Sequence, residues 1–63
     1  MSTESELCRA RAAQARAEAD AATLANVRER CLRAEAAWIA MAEHGERADV
    51  MRATLAAARE AAE

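Results

Sequence analysis

Two cysteines, Cys8 and Cys31, and one histidine, His44, are the residues of this sequence suited to soft-metal binding, redox exchange or proton transfer. A zinc site draws its thiolates and imidazoles from close sets such as C-x-x-C or H-x-x-x-H. Neither spacing occurs. Nucleophilic catalysis fares no better. Ser2, Ser5, Thr23, Thr54 and the two thiols are candidate nucleophiles, but the single histidine has no evident orienting partner. With one glycine in the chain there is also no Gly-rich loop to cradle a phosphate. No catalytic residue, cofactor site or metal site is therefore expected, and the sequence does not read as an enzyme.

The arginines offer a second kind of chemistry. Arg28, Arg30 and Arg33 cluster in the middle of the chain, with Arg9, Arg11 and Arg16 upstream. Such groups hold phosphates in a nucleic-acid reader. Here Glu18, Asp20, Glu29 and Glu35 are interleaved with them, and the net charge is −2. That is the pattern of a solvated face with local ion pairs, whereas phosphate binding calls for an excess of cations. A small nucleic-acid-binding regulator using Arg28, Arg30 and Arg33 is the alternative reading and the disfavoured one.

The elements that must carry these residues are helical. There is no proline, 32% of the residues are charged, and 21 of the 63 are alanine. Only eleven larger apolar side chains remain: four Leu, two Val, three Met, Ile39 and Trp38. A chain this short buries only about 60% of its unfolded surface. Its own core is thus thin, and contacts with a partner are expected to supplement it. No segment approaches the ~18 apolar residues of a membrane span, and "MSTESELCRA" lacks the apolar centre of a signal peptide. A cytoplasmic protein is expected, in a reducing compartment that leaves both thiols free.

Thr3 with Glu6 fits a capping box and starts a first helix over about residues 3–22. Its apolar residues form two neighbouring lines: Leu7, Ala10, Ala17, Ala21 and Leu24, interrupted by Gln14, and Cys8, Ala12, Ala15, Ala19 and Ala22. So alanine-rich a face lets a second helix come close. Thr23 and Asn26 break the pattern, and Asn26 with Glu29 reads as a second N-cap, which puts a turn at about 23–26. Beyond it Leu24, Val27, Cys31, Ala34, Trp38 and Met41 recur at spacings of three and four, the seam of a packed helix. Leu32 and Ile39 lie about 100° around from that seam, so the apolar face is too wide for one neighbour.

Gly45 raises the question of continuity. Glycine is a frequent helix stop, and the seam resumes beyond it, rotated, through Ala48, Met51, Leu55, Ala58 and Ala62. A break at about 44–46 would give a three-helix bundle. Against a break stand the absence of a following cap, the cost of only about 1 kcal/mol for glycine inside a helix, and the pairs Glu43–Arg47 and Asp49–Arg52 that would bridge the point. The favoured reading is a single all-α domain over residues 1–63. It is an antiparallel helical hairpin with a long second helix from about 26 to 62, kinked or straight at Gly45, whose uncovered far half is completed by dimerisation into a bundle. The residues assigned to core or interface are Leu24, Val27, Cys31, Leu32, Trp38, Ile39, Met41, Met51 and Leu55. In such a hairpin Cys8 lies opposite about residue 41 and Cys31 opposite about residue 17, too far apart for a disulfide. His44 comes near Cys8 and Glu4 or Glu6.

The run "TLANVRERCLRAEAAWIAMAEHGER", after the Ala/Arg-rich "RARAAQARAEADAA", resembles short Ala/Arg-rich hypothetical proteins of G+C-rich alphaproteobacterial genomes. The resemblance implies a bacterial cytoplasmic protein and brings no activity, cofactor or catalytic motif with it. Together these readings point to a non-enzymatic helical module for protein–protein interaction or oligomerisation. Its partner would be a second copy of itself or another helical protein, with no membrane involved.

Overall fold

Alanine has the highest helix propensity of any residue, and the first and last thirds of this chain are rich in it. The computed structural model describes residues 3–62, and both segments are helical in it. Helix α1 spans Thr3–Ala21, with Glu4 and Glu6 in its first turn, where the helix dipole favours acids. Helix α2 spans Ala25–Ala62, and the two pack antiparallel as a hairpin.

Both bounds of the turn lie one residue earlier than the sequence implies: α1 ends at Ala21 and α2 begins at Ala25. The Ala22 amide donates to the Ala19 carbonyl at 3.2 Å, closing α1, and the Arg28 amide donates to the Leu24 carbonyl at 3.0 Å. That second bond is the first i to i−4 link of α2, so Leu24 holds the capping position expected of Asn26. An adjacent asparagine is a strong capping signal, but the hairpin geometry decides which residue leaves the helix first.

Gly45 neither breaks nor ends α2, which runs through it for 38 residues. The three-helix alternative is therefore wrong, and the physical reason for the glycine is proximity. A Cβ built on Gly45 would stand 2.5 Å from Ser5 Oγ and 3.8 Å from Ser5 Cβ. Glycine is here because α1 crosses so close, and its helix cost of about 1 kcal/mol is accepted in exchange for that approach. Of the two pairs expected to bridge the point, Asp49 with Arg52 forms.

The contact is a seven-residue repeat on each helix. On α1 the buried line is Ser5, Cys8, Ala12, Ala15 and Ala19, with Ala22 half-buried, at alternating spacings of three and four. On α2 the corresponding line is Cys31, Glu35, Trp38, Ala42, Gly45 and Asp49, in which Cys31 and Ala42 are buried. Small residues face small residues at the crossing, the arrangement that permits the closest helix approach. Ala19 and Ala42 are fully inaccessible.

Ion pairs stitch the edges. Arg9 makes a forked contact with Glu46 at 3.2 and 2.8 Å, and Arg16 reaches Glu35 across the hairpin at 3.7 Å and Asp20 on its own helix at 3.3 Å. The Arg9 guanidinium, by donating to the Glu46 carboxylate and by its charge, holds that carboxyl below its ordinary value, and Arg9 is raised in turn. A carboxyl with a lowered native pKa adds stability above its unfolded titration range, and that contribution disappears as pH falls through the native value. The difference in melting temperature between the parent and Glu46→Gln should accordingly be present at neutral pH and shrink below about pH 4, where the unfolded carboxyl is protonated. A gap unchanged down to acid pH would show that the pair adds nothing. The pair is solvent-exposed, so added salt should narrow the gap as well.

With Ser5 level with Gly45, α1 begins near residue 47 of the longer helix. Every residue from 50 to 62 is exposed, an overhang of roughly 20 Å at 1.5 Å per residue. The molecule is a rod 59 Å long with a radius of gyration of 16.6 Å, against about 10.6 Å for a compact chain of this length.

Candidate functional site

The overhang shares a feature with the paired part of α2. Ala37, Met41, His44, Ala48, Met51, Leu55, Ala58 and Ala62 follow one another at spacings of four and three without interruption, a second seven-residue repeat beside the one that meets α1. Because Met41 precedes Ala42 by one residue, this stripe lies about 100° around the helix from the α1 contact. Ala48 is half-buried and the rest of the stripe is exposed, with Met41 55%, Met51 59% and Leu55 51% accessible. A repeat of this kind is the pattern by which one helix receives another.

The large residues named from the sequence thus divide. Cys31 is buried, Val27, Leu32, Trp38 and Ile39 are half-buried, and Leu24, Met41, Met51 and Leu55 stand in solvent in the single chain. Leu24 and Met41 do not belong to the intrachain seam expected of them. Ala42 takes the place of Met41, since a thioether side chain there would hold the helices apart. Glu35 and Asp49 complete the seam although they are acids, with side chains 22% and 26% accessible and partnered by Arg16 and Arg52. Apolar periodicity cannot reveal them. On α1 the line through Cys8 and Ala19 is buried and the line through Leu7 faces out.

Trp38 lies at the edge of the seam between two depressions on one flank of the hairpin. The first, about 620 Å³ and mostly apolar, is walled by Leu7 and Cys8 of α1 and by Trp38, Met41 and His44 of α2, with Glu4 at its rim. The second, shallower and more polar, is walled by Arg11, Gln14, Ala15 and Glu18 on one side and Ala34 and Trp38 on the other. The indole therefore rests against α1 and still presents part of its surface outward.

The chemistry-bearing residues can be placed against this surface. Ser5, Glu4 and His44 share the first depression, yet the Ser5 hydroxyl is buried and has no hydrogen-bond partner among the described residues, so no base touches it. Ser2 lies outside the described residues. Cys8 and Cys31 are buried free thiols. The register puts Cys8 level with Ala42 and Cys31 level with Ala19, one and two residues from the expected positions, and about 16 Å apart along the rod. His44 does come to the same depression as Cys8 and Glu4, but among the described residues no group of three His, Cys, Asp or Glu side chains is placed to hold a metal ion. Arg28, Arg30 and Arg33 are all exposed, and a helical turn separates Arg28 from Arg33 by about 140°, so the three do not form one basic face. Among the described residues no helix is long and apolar enough to cross a membrane. No protein family, curated protein or solved structure matches the chain.

Proposed function

We propose that this chain is a non-enzymatic oligomerisation module that associates through the uncovered stripe of α2. The observation that carries the reading is the unbroken repeat from Ala37 to Ala62, which holds Met41, Met51 and Leu55 in solvent on a helix twice the length of the one that packs on it. Scattered exposed apolar side chains are ordinary on a protein surface, but an aligned row at heptad spacing is a helix-binding face. Two buried free thiols fit a reducing compartment such as the cytoplasm.

Molar mass by sedimentation equilibrium across a dilution series tests this. The expected result is a mass above one chain that falls on dilution, accompanied by a red shift of Trp38 emission as the indole becomes wetter. A single-chain mass at every concentration overturns the reading.

A further inference from the structure

From the pattern of the stripe we infer that its occupant is the same stripe of a second copy, running antiparallel, so that the overhang of each chain lies along the paired half of the other. This rests on the self-association proposed above and goes further, because it fixes direction and register.

Three observations support it. The first is surface area. The chain exposes 5011 Å², whereas a compact protein of 6.8 kDa exposes about 3,950 Å². The excess, roughly 1,000 Å², is what one subunit of a standard dimer contributes, about 800 Å².

The second is the order of large and small residues. In antiparallel pairing the two kinds of seam position face each other, and a twofold axis between residues 49 and 50 sets Met41 against Ala58 of the second copy, His44 against Leu55, Ala48 against Met51, and Ala37 against Ala62. In the two layers that contain a methionine, it meets an alanine, so side chains interdigitate without a gap. Parallel pairing sets Met51 on Met51 and Ala48 on Ala48, alternating crowding with voids, and leaves the Trp38 depressions open.

The third is fit at the edges. The antiparallel register carries Arg59 of the second copy to Trp38, whose indole face suits a guanidinium. It also carries Arg52 of the second copy to the Gly45 end of the first depression, where Glu4 stands. The overhang, residues 50–62, matches in length the segment it would cover, residues 37–49, so each uncovered end is used once and the assembly closes at two chains.

Cross-linking between two single-cysteine additions tests the register. Met41→Cys and Ala58→Cys chains are prepared separately, mixed, and treated with a short bis-maleimide, with linked residues identified by peptide mass. The unaltered chain serves as the control for Cys8 and Cys31. Residues 41 and 58 of different copies should join, shifting the mixture from one-chain to two-chain mass. Each variant alone should remain uncoupled, because like positions would lie about 25 Å apart. Ala37→Cys with Ala62→Cys repeats the test without removing a large side chain. Coupling of 41 to 41 or 58 to 58, with a two-chain mass in sedimentation, overturns the antiparallel register and leaves self-association standing. A one-chain mass for the unaltered protein at the same concentration overturns both.

Discussion

If the chain self-associates as proposed, the variant Leu55→Arg should be a single chain at concentrations where the parent protein pairs, with its dissociation constant raised about a thousandfold or more. Leu55 is half-exposed in the isolated hairpin, so the substitution leaves the α1–α2 seam untouched. In the proposed antiparallel dimer the same leucine is buried twice, once in each half, against His44 of the other chain. Burying a fully exposed leucine is worth about 1.5–3 kcal/mol, and Leu55 has about half its surface left to bury, so the two copies account for about 1.5–3 kcal/mol, or a factor of roughly 10 to 10² in affinity. A guanidinium in that position adds a desolvation cost in each half of the interface, which supplies the rest of the expected loss. Total helicity by circular dichroism should fall by no more than the share of the overhang, which the partner would cover in the proposed dimer. His44→Leu should act in the opposite direction, tightening association about tenfold by removing the polar group from that layer, while relaxing the register that a single polar seam position helps to specify. A dimer undisturbed by Leu55→Arg would place the interface elsewhere on the rod.

How much of this was legible in the sequence depends on the kind of residue. Alanine content, the absence of proline and the weak helix formers near residues 23–26 were enough to define a hairpin with a long second arm, because local propensity and the fold agree there. The identity of the buried seam was only half legible. Cys31 and Trp38 are apolar or nearly so and stood out, whereas Glu35, Gly45 and Asp49 belong to the same line and carry no hydrophobic signal. Met41, the largest neighbour of Ala42, drew the apparent seam one residue aside. On α1, two alanine lines of equal standing ran side by side, and nothing in the sequence chose between them. What chose is distance: helices that approach as closely as Ser5 and Gly45 can accept only small residues along the line of contact. The displaced large residues then form the second stripe, so the error in locating the core and the discovery of the outer face have one cause.

The crossing of Ser5 and Gly45 yields the second large effect. Ser5 is 6% accessible, and its hydroxyl is buried without a partner among the described residues. Leaving such a group unsatisfied costs about 1–3 kcal/mol, so Ser5→Ala should stabilise the protein by about 1 kcal/mol. Gly45→Ala alone gains about 1 kcal/mol of helix propensity but drives its Cβ to within 2.5 Å of Ser5 Oγ, and the displaced hydroxyl offsets the gain. In the double variant the obstacle is gone: the new Cβ meets the Cβ at position 5 at 3.8 Å, an ordinary contact, and the propensity gain is realised in full. Stability should therefore rise by about 2 kcal/mol in the double variant, a shift of roughly 8–16 °C in melting temperature for a domain of this size, with a favourable coupling of about 1 kcal/mol between the sites. All four proteins must be melted at one concentration, since self-association would otherwise add its own mass-action term. Strict additivity, with Gly45→Ala stabilising the parent by the whole propensity difference, would mean that the two helices lie farther apart than the crossing requires. A loss of stability from Gly45→Ala even in the Ser5→Ala background would mean that backbone, and not the hydroxyl, sets the limit of approach.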